Sequence, residues 1–164
     1  MRRSTGRTHG NGGFSLSELL VVIALLGLFI LFGGPAMADA FRAYKVRSAA
    51  DMLVTDIRAL RYNAVAQRAS QTLTINTQGN STAPNQYSFV NMRGVTVTRK
   101  QEAGVNIEDT STTTITFSNT GTTGSTGNLT VIMSLTVNGD RGDRYTLSIT
   151  PTGTVSSAYA SYVP

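Results

Sequence analysis

The chain has 164 residues, with 14 basic and 9 acidic side chains, one histidine and no cysteine. That is room for one domain with a modest core, with neither disulfides nor thiol chemistry. The lone imidazole, His9, sits in the first segment, so the rest of the chain lacks the base of most hydrolases and the ligands of an ordinary zinc site.

Residues 1–13 are rich in Arg, Gly, Ser and Thr, show no apolar period, and read as a disordered cationic leader. Without Arg2, Arg3 and Arg7, 11 bases face 9 acids, so the net charge of +5 belongs mostly to this leader and is only a weak signal for nucleic acid. Next come Gly13-Phe14-Ser15-Leu16-Ser17-Glu18 and an unbroken apolar run, Leu19 to Phe32. As a helix, Phe14 to Phe32 would span roughly 28 Å, close to the hydrocarbon thickness of a bilayer. Positive charge ahead of such a segment keeps the N-terminus in the cytoplasm and sends the domain to the far side.

Two processing schemes fit this region. Ala36-Met37-Ala38 has the small-x-small pattern of a secretory cleavage site, which would release a protein starting at Asp39. Against it, the apolar segment is long for a signal core and carries Glu18. A carboxylate at the centre of a bilayer costs about 2.5–3.5 kcal/mol, less near the interface, unless an opposite charge meets it. The plain alternative is that Glu18 simply sits at the interface.

After Pro35 the pattern predicts a helix with a single apolar stripe, Val46, Ala49, Leu53, Ile57, Leu60 and Ala64, while Arg42, Lys45, Arg47, Asp51, Arg58 and Arg68 point mostly elsewhere. The simplest account is one helix from about Phe14 to about Ala69, kinked or locally melted at Gly33, Gly34 and Pro35. Asp51, Asp56, Arg58 and Arg61 read as solvated charges on its outer face.

From Gln71 the period falls to two. Strands are expected over Thr72–Ile75, Tyr87–Val90, Gly94–Thr98, Thr114–Phe117, Leu129–Met133 and Tyr145–Ile149, antiparallel, with one face on the helix stripe. Asn138-Gly139 and Arg141-Gly142 mark a hairpin turn, and Ser118 to Asn128 reads as a mobile Gly/Thr/Ser loop. The closing Ser156–Pro164 is an edge strand or a tail.

Gly13-Phe14, then Glu18 and an apolar helix, resembles the class III signal of type IV pilins and type II secretion pseudopilins. Leu60–Arg68, Thr72–Ile75, Ile115–Phe117, Gly121, Leu129–Leu135 and Tyr145–Val155 resemble the GspH/FimT type of minor pseudopilin. The resemblance covers nearly the whole chain, tightly at the N-terminus and loosely after Asn76. It implies an α+β, pilin-like fold: a long N-terminal helix, membrane-spanning in its first half, packed against antiparallel sheet. Residues 1–13 would be a cleaved cytoplasmic leader, 14–34 the membrane and filament-core helix, and 35–164 the periplasmic domain. Prepilin peptidase would cut after Gly13 and N-methylate Phe14. Glu18 would face the terminal amine of a neighbouring subunit. Partners would be other pilins, the peptidase and the inner-membrane assembly platform, in a secretion pseudopilus or a type IV pilus; no enzyme activity, cofactor or metal is implied.

The alternative is DNA capture, since some FimT-type pilins bind DNA through C-terminal basic residues. Arg99, Lys100, Arg141 and Arg144 are the candidates here. Asp140 and Asp143 interleave with the last two, and no base follows Arg144. Phosphate binding needs uncompensated cations, so a solvated turn is the plainer reading. Arg141-Gly142-Asp143 spells an adhesion tripeptide by what chance and turn chemistry supply. Asn138, Asp140 and Asp143 lack the repeated carboxylates of a calcium loop. Asn80-Ser81-Thr82 and Asn128-Leu129-Thr130 match glycosylation sequons.

Overall fold

The computed structural model describes residues 14–137 and 140–160, without the side chains of 31–36, 38–39 and 136–141. The leader with Gly13, the Asn138-Gly139 turn and the tail from Ser161 lie outside the described residues. One helix, α1, runs Leu16–Gln67, and eight strands follow: β1 Gln71–Asn76, β2 Gln86–Val90, β3 Thr96–Lys100, β4 Val105–Ile107, β5 Thr114–Phe117, β6 Leu129–Val137, β7 Asp140–Ile149 and β8 Val155–Ala160. The backbone is helical through Gly33, Gly34 and Pro35. Two compact units divide the chain, Met1–Asp39 and Ala40–Pro164.

In the second unit the strands form two antiparallel sheets of four, ordered β3-β2-β1-β5 and β4-β6-β7-β8. Alternation fixes which face is buried. Leu73 and Ile75 of β1 lie opposite Phe89 and Tyr87 of β2, and Leu73 opposite Ile115 of β5, so these side chains share one face. In the other sheet Val105, Met133, Leu135 and Leu147 do the same work. Both inner faces meet Val46, Ala50, Leu53, Val54, Ile57, Leu60 and Ala64 of α1 in one core. Burying each Leu, Ile or Phe there contributes about 1.5–3 kcal/mol, which is what holds α1 against the sheets.

The stripe is therefore where the spacing put it, except that Ala50 is buried while Ala49 is packed at its margin and Val54 joins it. Other expectations need correction. Asp56 is not a solvated charge: it is 8% exposed, and its Oδ2 accepts from the Tyr87 hydroxyl and from Arg99 Nε. Arg61 is half-buried and donates from Nε to the Gly121 carbonyl at 3.0 Å. Arg141-Gly142 is strand rather than turn, because β7 begins at Asp140 and Arg141 pairs with Thr136, after an irregularity between Ser134 and Thr136. The end of the chain resolves in favour of the edge strand, with β8 pairing β7 from Val155 to Ala160.

The 118–128 loop is anchored at its first half. Ser118 N–H donates to the Thr122 carbonyl, Gly121 N–H to the Ser118 carbonyl, and Thr123 N–H to the Pro151 carbonyl. Gly121 and Gly153 both have positive φ, +79° and +81°, and close on Arg61: a Cβ on Gly153 would collide with the Gly121 carbonyl and come within 2.8 Å of Arg61 Nε. Gly121 follows a strand of the first sheet and Gly153 lies between two strands of the second, so the connections of both sheets come together beside this guanidinium, which bonds the first of them.

Candidate assembly site

The N-terminal site begins with Ser15, which caps α1. Its Oγ accepts from the Glu18 N–H at 3.2 Å, and Glu18 Oε2 accepts from the Ser15 N–H at 2.9 Å. This is a capping box, Ser-x-x-Glu, and it satisfies two of the donors that a helix start leaves open. A carboxylate in the first turn also answers the positive end of the helix dipole. Ser17 Oγ lies 2.8 Å from Ser15 Oγ. Phe14, Ser17, Glu18, Val21 and Val22 border one shallow depression, with Phe14 itself 88% exposed. Phe14 and Glu18 are thus brought together, while Gly13 is outside the described residues. The spacing Ser15 to Glu18 is a sequence signature that the reading above did not use.

Beyond this turn the helix is apolar on every side and exposed on every side. Leu19, Leu20, Val21, Ile23, Leu25, Leu26 and Phe29 are all more than half exposed. So much unpartnered apolar surface calls for lipid or for other helices. Among the described residues no helix is long and apolar enough to cross a membrane. Ile30 is the last residue before the gap in described side chains, and the apolar run read in the sequence continues to Phe32.

In the second unit α1 has a second stripe, opposite the buried one. Phe41, Tyr44, Ser48, Met52, Thr55, Ala59, Tyr62 and Ala66 recur at intervals of three and four and are all exposed. None of them is charged. Lys45 flanks this strip on one side, and Arg47, Asp51 and Arg58 on the other. Arg47 and Asp51 pair at 3.8 Å, and Lys45 reaches Glu102 at 4.0 Å, both fully at the surface and contributing little to stability. The sequence reading missed this stripe because its small and hydroxyl residues blur the apolar count.

The candidate DNA contacts fall on different sheets, Arg99 and Lys100 on β3 and Arg141 and Arg144 on β7. Arg99 is held by Asp56 at 2.7 Å, and that hydrogen bond with its charge pairing raises the guanidinium above its ordinary pKa. Arg144 is held at 3.1 Å by Glu108, a carboxylate that is almost fully buried. Lys100 is exposed, and the side chain of Arg141 is outside the described residues. Asp143, once considered for calcium, accepts from the Tyr159 hydroxyl at 2.9 Å; partial burial and then this carboxylate raise the pKa of that phenol. Among the described residues no three His, Cys, Asp or Glu side chains gather as a metal site.

Residues 49–153 match the family model described as Type II transport protein GspH. Residues 8–33 match the prokaryotic N-terminal methylation motif. No curated protein matches the chain. Among solved structures it is similar to two crystal forms of the type IV minor pilin FimU of Pseudomonas aeruginosa. One shares 18% identity over 69% of this chain and 87% of that one, with a TM-score of 0.48. The other shares 17% over 68% and 91%, with a TM-score of 0.46.

Proposed function

Because this chain belongs to the GspH family of type II transport proteins, whose members are structural pilin subunits, we propose that it is a minor pseudopilin or minor pilin, built to be processed, held in the inner membrane and added to a filament. The observation that carries this reading is the match to the methylation motif over residues 8–33, which takes in Gly13, Phe14 and Glu18 together with the first part of α1, whose apolar side chains from Leu19 to Ile30 are exposed. In this reading prepilin peptidase cuts after Gly13 and methylates Phe14. The apolar part of α1 stays in the inner membrane with the sheets on the periplasmic side. The assembly platform then lifts the subunit into contact with other pilins, at or near the filament tip.

Glu18 is the docking group. In hydrocarbon a carboxylate needs a cation, and the new amine on Phe14 of a neighbour is a cation at the same depth. Such a pair fixes register more than it adds stability. The uncharged outer stripe from Phe41 to Ala66 gives a neighbouring helix a seat free of desolvated charge. Loosening at Gly33, Gly34 and Pro35 would let the two parts of α1 adjust as the subunit leaves the bilayer.

N-terminal mass spectrometry of the protein from its native host tests processing: a methylated Phe14 start is expected, and an Asp39 start sinks the reading. Glu18→Ala should be cleaved normally yet be missing from sheared filaments. The DNA-capture alternative has less support, since Arg99 and Arg144 are engaged by carboxylates. A salt-dependent mobility shift of a DNA fragment by the full chain, lost in Lys100→Ala with Arg141→Ala, would restore it.

A further inference from the structure

We propose that β8 is the edge on which a second copy of this chain docks, its own β8 lying antiparallel to this one and continuing the second sheet. Each sheet has two outer strands, and three of the four are blunted against such pairing. β4 is three residues long. β5 is four, and just ahead of it Thr112 N–H already donates to the Thr130 carbonyl of the other sheet at 2.7 Å. β3 ends in Arg99 and Lys100, charges of the kind that keep edges apart. β8 is the longest of the four, six residues from Val155 to Ala160, with no charge, proline or glycine, and it pairs with β7 without an irregularity. From Ser156 to Ala160 it is exposed throughout.

At the turn between β7 and β8 the Thr150 N–H donates to the Thr154 carbonyl at 2.9 Å. Bonded and unbonded pairs alternate along an antiparallel ladder. Counted from Thr154, it is Ser156, Ala158 and Ala160 that bond Ser148, Thr146 and Arg144, and the N–H and C=O groups of Val155, Ser157 and Tyr159 turn away from β7. Among the described residues nothing else bonds those outward groups. With Ser157 laid opposite Ser157 of a second copy, Val155 meets Tyr159 on both sides of the two-fold axis, and every outward group finds a partner. These side chains alternate to the same face as Tyr145, Leu147 and Ile149. Val155 already packs at the margin of the core, so the incoming tyrosine meets a β-branched residue there, a favourable cross-strand pair. On the other face Ser156 meets Ala158. No charge is set against β8: Asp143 stands one strand in and accepts from the Tyr159 hydroxyl of its own chain. A β3 edge would instead bring Arg99 and Lys100 to a strand with no acid to receive them. This match of β8 to itself is what selects a second copy as the occupant.

The full-length chain, in membranes of its native host and purified in mild detergent, tests this through single thiols, because it has no cysteine of its own. Opposed bonded residues lie about 5.5 Å apart at Cα, within reach of a disulfide. Under a mild oxidant Ser157→Cys should therefore convert mostly to a linked species of twice the chain mass. Ser156→Cys turns its thiol to the other face and stands diagonal to its copy, about 7–8 Å away, and should link roughly fivefold less. Thr98→Cys on β3 reports chance collision and should behave like Ser156→Cys. Ser157→Pro removes a donor that β7 does not use, and Ser157→Lys places two cations at the axis; each should turn a wild-type dimer into a monomer by light scattering. The proposal is overturned if Ser157→Cys links no faster than Thr98→Cys, if it links to a different protein in the host membranes, or if the wild type is already monomeric. None of these results bears on Phe14 or Glu18, whose roles are decided by the experiments on processing and incorporation.

Discussion

Tyr87 on β2 and Arg99 on β3 donate to the same atom, Oδ2 of Asp56 on α1, each at 2.7 Å. A single carboxylate oxygen thus ties the helix to two neighbouring strands of the first sheet. The phenol is buried and the guanidinium is 42% exposed, so the two donors would respond differently to its loss. Removing the carboxylate lets Arg99 recover water and leaves the Tyr87 hydroxyl without its acceptor. Asp56→Ala should cost about 2–3 kcal/mol, read as a lowered urea midpoint of the full-length protein in detergent. A cost below about 1 kcal/mol would mean that the carboxylate is not holding the strands.

Tyr87 also sets an alkaline limit. Burial first, and then the hydrogen bond to Asp56, push its phenol well above the usual range. A group whose folded pKa is raised contributes stability that is fully present below its unfolded value, about 10, and declines as pH rises beyond that. Each further pH unit should remove about 1.4 kcal/mol through this residue until its folded pKa is reached. Tyr87→Phe should start less stable at neutral pH and show a shallower alkaline decline in a series of melts from pH 8 to pH 12. Parallel slopes for the two proteins would be the contrary result.

The glycine closure over Arg61 gives a paired prediction. Gly153→Ala meets the Gly121 carbonyl, the Arg61 guanidinium and an unfavourable φ of +81° together, and should cost more than about 2 kcal/mol. Gly124 has φ +66° but open space around its would-be Cβ, so Gly124→Ala should cost only about 1 kcal/mol of backbone strain. Thermal unfolding of the two variants side by side is sufficient, and equal losses would show that contact with Arg61 does not matter.

The outer stripe of α1 can be tested without disturbing the core. Met52 is 49% exposed, so Met52→Glu should shift stability by less than about 0.5 kcal/mol. The same substitution buries an unpaired charge if a neighbouring helix packs there, and should cut filament incorporation at least tenfold. Normal melting with normal incorporation would exclude this face from the filament contact.

The buried side of α1 was legible because its large apolar residues repeat at three and four over more than five turns, from Val46 to Ala64. The longer strands were legible for the same kind of reason, with Thr72–Ile75 and Tyr145–Ile149 alternating cleanly. β4 has three residues and too short a period to register. The split into two sheets depends on which distant strands pair, and pairing leaves little trace in composition. Asp56 looked like any surface carboxylate, since nothing on its own helix announces a tyrosine 31 residues on. Arg141-Gly142 looked like a turn because its residue types suit one, but the β6–β7 pairing runs past it. The cap at Ser15 could have been read directly, as Ser-x-x-Glu before an apolar run.

A helix with one buried face ordinarily leaves two-thirds of its circumference open to substitution. Here the strip from Phe41 to Ala66 lies opposite the buried stripe and is free of charge along its length. If both faces are held to their chemistry, and Asp56 on the Lys45 side is held by Tyr87 and Arg99, only Lys45 and the line through Arg47, Asp51 and Arg58 can drift. Charge exchanged at those four positions should be tolerated. The helix is therefore a narrow target for surface engineering, and tags or labels belong on the hairpin at Asn91–Val95 or on the outer faces of the sheets.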